Sequence, residues 1–168
     1  MEKLESNRLI LRELGPGDFK DFWELSINWK AAPGPEFDKF PVAEDECRKT
    51  FEYSLKKPGN CRFIYLRAEK KIIGLICLNG LDEHDRMDMG HIIHSNYQND
   101  DIDREALSMF IAHVFRTTET KVIITNNDPD KKQNAPLYSL GFTDRNENGG
   151  QLIIDKKKWE TAFRNNGL

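Results

Sequence analysis

The sequence predicts an α/β fold, a mixed β-sheet with helices on both of its sides. Its strand-like and helix-like segments follow the order β-α-α-β-β-β-α-β-α-β-β, read from the period of the apolar residues. Three consecutive strand-like segments are joined by short turns, which is typical of an antiparallel meander. The helix that follows leads into another strand, and such a crossover adds a strand to the same sheet.

The composition bounds the class of protein. At 168 residues, with 38% apolar and 32% charged residues, the chain is expected to form a single domain over residues 1–168. The net charge of −3 argues against a nucleic-acid binder. No apolar run reaches the roughly 18 residues of a membrane span, and residues 1–14 lack the apolar core of a signal peptide. We therefore expect a cytoplasmic protein that binds neither nucleic acid nor a membrane.

The three cysteines, Cys47, Cys61 and Cys77, are odd in number and lack the spacing of a metal site. In a cytoplasmic protein such cysteines are expected to be reduced. The sequence therefore predicts three free thiols and no metal.

Local signals place the elements of the N-terminal half. Residues 8–14 (RLILREL) alternate like a strand, and residues 15–17 (GPG) break the chain before Asp18, which can cap a helix. The connection 29–42 is rich in proline and aromatic residues and long for a simple turn, which is typical of loops that line binding sites. The alternative is a surface loop whose aromatic residues pack into the core. A second helix is predicted over residues 43–56.

In the C-terminal half, strands are predicted over residues 62–69, 71–81, 87–94, 121–126, 142–146 and 151–155. Helices are predicted over residues 104–115 and in a short segment ending at Leu140, where Gly141 suits a left-handed cap. The sequence Asn148-Gly149-Gly150 is a hairpin signal between the last two strands. The tail is expected to form a short amphipathic helix or to fray.

The segment 87–115 carries the first functional signal. A strand is followed by a polar loop, residues 95–103, and a helix, and this arrangement points backbone N–H groups at the mouth of the loop. Such a mouth binds anions, including the phosphates of a nucleotide-like cofactor. The loop carries Asp100, Asp101 and Asp103 where glycines are expected.

Six motifs, taken in chain order, carry a resemblance to a known family. They are LESNRLILREL, KKIIGLICLNGLDE, MDMGHIIHSNYQ, DREAL, DPD with the later LYSLGF, and IIDKKKWE. In this order they resemble the GNAT superfamily of acyl-CoA-dependent N-acetyltransferases, and most of all its branch of ribosomal-protein N-terminal acetyltransferases. The resemblance covers nearly the whole chain.

The resemblance implies a cofactor site. In this family the fourth strand, here residues 87–94, splays from the fifth, here residues 121–126, and the pantetheine arm of acetyl-CoA lies in the gap. The backbone around Ile92, Ile93 and His94 would bind the pantetheine. The residues that match the pyrophosphate loop are Gln98, Asn99, Asp100, Asp101, Ile102 and Asp103. The implied reaction is direct attack of a primary amine on the thioester of acetyl-CoA, the cosubstrate.

The pyrophosphate loop departs from the family pattern Q/R-x-x-G-x-G/A, because Asp101 and Asp103 replace both small residues. Two like charges about 5 Å apart repel by roughly 3 kcal/mol at an effective dielectric near 20. A helix terminus contributes only about 0.3–1 kcal/mol to binding an anion. Alternatively, Asp101 or Asp103 is the N-cap of the helix. The rival function is therefore a catalytically impaired binding or interaction module that has lost tight CoA binding.

Two further residues take their roles from the resemblance. Counting forward from the DPD motif places Asn134 on a serine of the cofactor site. The same count places Tyr138 on the tyrosine that protonates the departing thiolate. Counting backward from Gly141 places Leu137 there instead. Tyr138 is therefore either the general acid or an ordinary tyrosine of the core or groove.

Two residues are candidates for the catalytic base. Asp88 matches an acidic position of the family, whereas His91 replaces an aromatic residue. A histidine with a pKa near neutral can accept a proton from an amine. Strand alternation places Asp88 and His91 on opposite faces unless a bulge intervenes. The alternative for His91 is a solvent-facing or structural residue.

The acceptor is expected to be a peptide or protein N-terminus or a small amine. Acidic residues at the predicted acceptor entrance would attract a cationic amine, although a charge run is also typical of ordinary surface. These residues are Glu36, Asp38, Glu44, Asp45 and Glu46. A monomer or homodimer is expected, as in relatives.

Overall fold

The computed structural model describes residues 2–32, 39–57, 59–128, 132–145 and 150–166. Within them it confirms the α/β class, with an eight-stranded mixed sheet and helices. The strands are β1 (Leu4–Glu5), β2 (Leu9–Arg12), β3 (Cys61–Leu66), β4 (Lys71–Leu81), β5 (Met87–Ile93), β6 (Val122–Asn126), β7 (Thr143–Asp144) and β8 (Gln151–Asp155). The helices are α1 (Phe19–Ala31), α2 (Glu44–Lys56), α3 (Asp100–Thr117), α4 (Ala135–Ser139) and α5 (Lys156–Asn166).

The strands follow the order β1-β2-β3-β4-β5-β6-β8-β7 across the sheet. The described neighbours pair antiparallel, except that β5 and β6 are parallel through Met87 opposite Ile123 and Asp88 opposite Ile124. Helix α3 connects these two parallel strands, as the sequence predicted. The short strand β1 was not predicted.

The chain forms two compact units. The first contains Met1–Cys77 and His91–Gln98, and the second contains Leu78–Gly90 and Asn99–Leu168. No helix among the described residues is long and apolar enough to cross a bilayer.

In the first unit, α1 and α2 pack on one face of β3 and β4. Apolar residues at helical spacing on α1 and α2 meet Phe63 of β3 and Ile72 and Leu75 of β4. The buried cluster contains Phe22, Leu25, Cys47, Phe51, Phe63, Ile72 and Leu75. Phe22 is its centre, with rings of Phe40, Phe51 and Phe63 5.2–6.0 Å away. The aromatic Phe40 of the 29–42 connection therefore packs into the core.

The turn before α1 is fixed by Asp18. Its carboxylate accepts the Gly15 N–H at 2.6 Å and pairs with both terminal nitrogens of Arg12 at 2.6 and 2.9 Å. Asp18 occupies the N-cap position but makes no side-chain bond to the helix. The predicted cap therefore acts on the turn instead.

The prediction of three free thiols is wrong, because Cys61 and Cys77 form a disulfide. The two residues lie directly opposite each other on β3 and β4, with Cα atoms 4.1 Å apart. A bulge shifts the register by one residue between Ile64 and Tyr65. Without that shift Cys61 would face Ile76, so the disulfide depends on the bulge. Cys47 is free and buried.

Gly74 lets β4 approach β5 closely. A Cβ at this position would lie 2.4 Å from the carbonyl oxygen of Ile92, a distance that no side chain tolerates. Beside this contact, the His94 N–H donates to the Ile73 oxygen at 2.8 Å and holds the chain after β5 against β4. The glycine of the isoleucine-glycine pair is therefore required by this approach.

In the second unit, α3 supplies a buried apolar stripe beside the apolar residues of β6 and β8. The stripe contains Ala106, Leu107, Phe110, Ile111, Val114 and Phe115. Gly141, with φ of 94°, ends α4 as predicted. Its N–H donates to the Tyr138 oxygen at 3.0 Å, and the Phe142 N–H donates to the Leu137 oxygen at 3.1 Å, which is a Schellman cap.

Candidate functional site

Asp88 lies on β5 within a small polar group of the second unit. Its carboxylate accepts a hydrogen bond from the Asn79 amide at 3.0 Å. A Cβ at Gly90 would lie 3.3 Å from the same amide, so Asn79, Asp88 and Gly90 share one face, as strand alternation predicted. Asp88 is half-buried, and one of its carboxylate oxygens is already hydrogen-bonded.

His91 lies on β5 in the first unit, and its imidazole has lost solvent. Burial lowers its pKa from 6.5 to about 4. The expected near-neutral pKa is therefore not found. His91 is neutral at pH 7 and a weaker base than an ordinary histidine.

His94 follows β5 and is the N-cap of a 3-10 turn formed by Ser95–Tyr97. The Nδ1 atom of His94 accepts the Asn96 N–H at 3.2 Å, and its carbonyl oxygen accepts the Tyr97 N–H at 2.8 Å. The Ser95 N–H donates to Asn28 at 3.0 Å. All three N–H groups of the turn are therefore bonded inside the protein.

Side chains from α1 and from the β3–β4 turn fix this turn in place. Asn28 binds Ser95 twice, because its amide also donates to the serine Oγ at 2.8 Å. The Tyr97 hydroxyl donates to Glu69 at 2.5 Å, and this bond raises the pKa of Tyr97. Glu24 lies 3.7 Å from the His94 Nε2 atom.

Helix α3 begins at Asp100, four residues before the predicted start, and its N-cap is Asn99. The Asn99 side chain accepts the Asp101 N–H at 2.9 Å, and its backbone oxygen accepts the Asp103 N–H at 3.0 Å. The expectation that Asp101 or Asp103 is the cap is therefore wrong. Asp101 pairs instead with Arg104 at 3.1 Å. Acidic residues in a first helical turn are favoured by the helix dipole, which explains the longer helix.

Asn134 is buried and organises the loop between β6 and α4. Its Oδ1 atom accepts the Asp128 N–H at 3.0 Å. Its amide donates to the Asn127 side chain at 2.8 Å and to the Asp128 oxygen at 2.9 Å. The donors and the acceptor of this side chain are thus bonded within the loop, which is a structural use of the predicted cofactor ligand.

Tyr138 is half-buried on α4, and its hydroxyl lies 3.3 Å from both carboxylate oxygens of Asp144. Asp144 also accepts from the Asn127 amide at 2.7 Å. Leu137, the alternative, is a core residue that is 1% exposed. Of these two residues, only Tyr138 has an accessible polar group that could donate a proton. The catalytic roles of Tyr138, Asp88 and His91 stay predictions.

The acidic residues of the predicted acceptor entrance are described in part. Glu44, Asp45 and Glu46 lie exposed in the first turn of α2, where Glu44 pairs with Arg48 at 2.8 Å. Glu36 and Asp38 lie outside the described residues. In the part of the chain that the structure describes, no group of three or more histidine, cysteine or acidic side chains could hold a metal ion.

Sequence reasoning missed three polar residues around these candidates: Asn28, Asn127 and Asp144. Each contacts a residue far along the chain or across a loop, so no local motif marks it. The helical spacing of Asp21, Glu24 and Asn28 was the available signal, because it places three polar side chains on one face of α1.

Comparison with known proteins identifies the family. A sequence model described as the acetyltransferase (GNAT) domain matches residues 8–142. Curated protein sequences give no significant match. A GNAT-family acetyltransferase from Bacillus anthracis superposes with a TM-score of 0.72 at 15% identity, covering 93% of this chain and 99% of the other.

Two other solved structures are similar over most of both chains. RimL, a ribosomal-protein α-N-acetyltransferase in complex with coenzyme A, gives a TM-score of 0.71 at 16% identity, covering 92% of this chain and 98% of the other. A spermidine N-acetyltransferase chimera from Vibrio cholerae and hSSAT gives 0.65 at 20% identity, with 92% and 99% covered. At these identities the structural likeness establishes the fold, and the sequence match establishes the family. The chain belongs to the GNAT acetyltransferase family.

Proposed function

We propose that this chain is an N-acetyltransferase that moves an acetyl group from acetyl-CoA to a primary amine. The observation that carries the proposal is the segment in which β5 leads through a 3-10 turn to the capped N-terminus of α3. A strand-to-helix segment of this kind binds phosphate groups through backbone N–H groups and the helix dipole. Because the chain belongs to this family, acetyl-CoA is the ligand expected there.

Acetyl-CoA would bind mainly through backbone groups. The pantetheine arm would use the backbone of Ile93, because the N–H and oxygen of His94 are bonded within the protein and the oxygen of Ile92 faces Gly74 of β4. The pyrophosphate would lie against the segment from Gln98 to Asp103. The bonds of Asn134 within its loop argue for support of that loop rather than for contact with the cofactor.

The transfer needs a base and an acid. The amine nitrogen attacks the acetyl carbonyl carbon, the carbon–sulfur bond breaks, and the amine loses one proton while the thiolate gains one. Burial lowers the pKa of His91, and the half-buried Asp88 carboxylate is bonded to Asn79 through one oxygen, so both candidates for the base remain to be tested. Tyr138 would supply the proton to the thiolate. Its hydroxyl is engaged by Asp144 in this structure and would have to turn from the carboxylate to the sulfur.

The acceptor class is a cationic primary amine in a cytoplasmic setting. The similar proteins include a ribosomal-protein α-N-acetyltransferase and a spermidine N-acetyltransferase chimera, so a peptide N-terminus and a polyamine are the two acceptors to test. The exposed acidic first turn of α2 would attract either.

Binding of CoA is the first test. A ligand present at about 100 times its Kd stabilises the folded state by about 2.7 kcal/mol, which corresponds to a rise in Tm of several degrees for a chain of this size. The Tm of the purified protein should therefore rise with CoA concentration. If the Tm does not change at millimolar CoA, the acetyltransferase proposal is wrong and the alternative, a binding module that has lost tight CoA binding, is favoured.

Transfer is the second test. Release of free CoA thiol from acetyl-CoA should require an added amine, either spermidine or a short peptide with a free N-terminus. A Tyr138→Phe variant should keep CoA binding and lose turnover, whereas Ser139→Ala, on the same helix, should keep both. Thiol release without dependence on any amine would indicate simple hydrolysis and would contradict the proposal.

A further inference from the structure

One face of α1 is bonded to backbone groups of β4 and of the 3-10 turn that follows β5. Asp21 accepts the Ile72 N–H of β4 at 2.9 Å, and Asn28 accepts the Ser95 N–H after β5 at 3.0 Å. Glu24 lies between them in the helix and holds Lys71 at 2.5 Å. The three side chains share a stripe because they are three and four residues apart on a helix. This helix is therefore tied to the segment that leads out of β5.

The contact between Asn28 and Ser95 has a defined orientation. The Asn28 oxygen accepts the backbone N–H of Ser95, and the Asn28 amide donates to the serine Oγ at 2.8 Å. A flipped amide would set its NH₂ group against the Ser95 N–H, so both bonds require the orientation present. Two bonds from one planar group fix the direction of the chain at Ser95 as well as its position.

The end of α1 that carries Asn28 is itself held. The Lys39 ammonium donates to the carbonyl oxygen of Trp29 at 3.0 Å and also to that of Ala32. The Trp29 ring packs edge-on against Phe40, with ring centres 5.1 Å apart. Capping of the last carbonyls by a cation stabilises a helix C-terminus. Asn28 therefore projects from a firmly placed turn of helix.

We propose that Asn28 is a positioning residue for the pyrophosphate loop of acetyl-CoA. This inference rests on the proposed function, because it assigns Asn28 a role in binding that cofactor. By fixing Ser95, Asn28 sets the path of the 3-10 turn and hence the point at which the chain enters the loop at Gln98. The Tyr97 bond to Glu69 fixes the other end of the same turn. Neither side chain touches the reacting atoms.

The proposed role of Asn28 predicts different effects on the binding of CoA and of pantetheine. CoA carries a pyrophosphate, whereas pantetheine, the arm of CoA without the nucleotide, does not. Loss of Asn28 should disturb the entry to the pyrophosphate loop and leave the backbone of Ile93 in place. Asn28→Ala should therefore weaken CoA roughly threefold to tenfold, the effect of one or two lost hydrogen bonds, and change the Kd of pantetheine less than twofold.

The experiment measures the Kd of CoA and of pantetheine by calorimetry for the wild type and three variants. Ser95→Ala keeps the backbone bond to Asn28 and should have a smaller effect than Asn28→Ala. Tyr97→Phe removes the second anchor and should again weaken CoA selectively. Ser26→Ala, a buried position on the same helix whose hydroxyl bonds to the Phe22 oxygen, is the control and should affect neither ligand.

The outcomes distinguish the two proposals. Selective loss of CoA in Asn28→Ala, or in Tyr97→Phe if the first variant does not fold, supports the positioning role. An equal loss for both ligands, or a loss no larger than that of Ser26→Ala, overturns it while leaving the acetyltransferase intact. A wild type that binds neither ligand overturns the acetyltransferase and the role of Asn28 with it.

Discussion

Two consecutive stretches of the predicted cofactor segment treat their backbone N–H groups differently. In the 3-10 turn after β5, the N–H groups of Ser95, Asn96 and Tyr97 are all bonded to protein atoms. In the first turn of α3, the Asn99 side chain accepts the Asp101 N–H, and the exposed Asp101 carboxylate adds a negative charge. The first stretch is closed to a ligand, whereas the second begins a helix whose dipole favours an anion but whose carboxylate repels one.

The difference teaches that geometry and charge are separate requirements for binding a phosphate. The anchors of the turn, Asn28 and Glu69, supply the geometry from outside the loop. The carboxylates in the first turn of α3 supply negative charge. Substitution of the carboxylates in the second stretch should therefore change the affinity for CoA through charge, and substitution of the anchors of the first stretch should change it through geometry.

The largest effect is expected from Asp101→Gly combined with Asp103→Ala, which restores the small residues of the family pattern. Each removed charge relieves up to roughly 3 kcal/mol of repulsion, but Asp101 is exposed and paired with Arg104, so solvent and the cation screen part of it. We expect the affinity for CoA to rise about tenfold to one hundredfold, measured by calorimetry at low salt.

A matched variant separates charge from size. Asp101→Asn with Asp103→Asn removes both charges and keeps the bulk, so it should recover most of the gain if charge is the obstacle. High salt should reduce the difference between these variants and the wild type. A fall in affinity in either double variant would mean that the carboxylates belong to a working site of another geometry.

The second effect concerns the hairpin that carries Glu69. The Cys61–Cys77 disulfide closes the hairpin far from its turn, at a sequence separation of 16. Reduction should lower the free energy of unfolding by about 2–3 kcal/mol and leave CoA affinity unchanged, because Glu69 lies at the other end of the hairpin and Asn28 lies on α1. Urea unfolding with and without reductant measures the change.

Thiol counting gives the control for this effect. Alkylation of the unfolded, unreduced protein should label Cys47 alone, and reduction should expose two more thiols. A Cys77→Ser variant should be insensitive to reductant. Three thiols in unreduced protein would contradict the disulfide and restore the original expectation from the sequence.

The fold could be predicted to this extent because period and turn chemistry are local signals. Strand β4 spans Lys71–Leu81 as predicted, and Gly141 takes the left-handed cap that LYSLGF indicated. The disulfide could not be predicted in the same way, because a single bulged residue decides which cysteines face each other. A one-residue shift in register has no signature in the pattern of apolar residues.

The sequence predicted which segment of the chain carries the candidate site, but not the hydrogen bonds and pKa values of its residues. The family motif identified the stretch from β5 to α3, but three aspartates suggested a longer loop, while the structure uses them as the first turn of a helix. The pKa of His91 and the bonds of Asn134 depend on neighbours that only the folded chain supplies. Roles assigned by counting along a motif therefore need the partners of each side chain.

The third effect contrasts two histidines of the same segment. His94 has Glu24 nearby, which offsets part of the burial that lowers its pKa, whereas only desolvation acts on His91. The folded-state pKa of His91, about 4, lies below its unfolded value of 6.5. The unfolded chain therefore takes up this proton first, and stability present above about pH 6.5 is lost as the pH falls towards 4.

His91→Tyr, the aromatic residue of the family pattern, should remove this acid sensitivity. The loss in the wild type is on the order of 1–3 kcal/mol across that pH window, and partial exposure of the ring favours the lower end. Urea unfolding at pH 7, 5.5 and 4.5 measures it, with the exposed His84→Gln as the control. The same pH dependence in His91→Tyr as in the wild type would assign the sensitivity to other groups.

The smallest effect is expected at the junction of the two stretches, where Asn99 caps α3. Asn99→Ala should cost about 1 kcal/mol of stability, because the Asp101 N–H loses its side-chain partner. Asn99→Asp keeps an acceptor and should cost less in stability. The N–H released in Asn99→Ala becomes available to an anion, so this variant should bind CoA as well as the wild type or about twofold better, while it unfolds at a lower temperature. Weaker CoA binding in Asn99→Ala would instead show that the asparagine side chain touches the cofactor, and the geometry of the second stretch would then include Asn99 as a ligand rather than a cap.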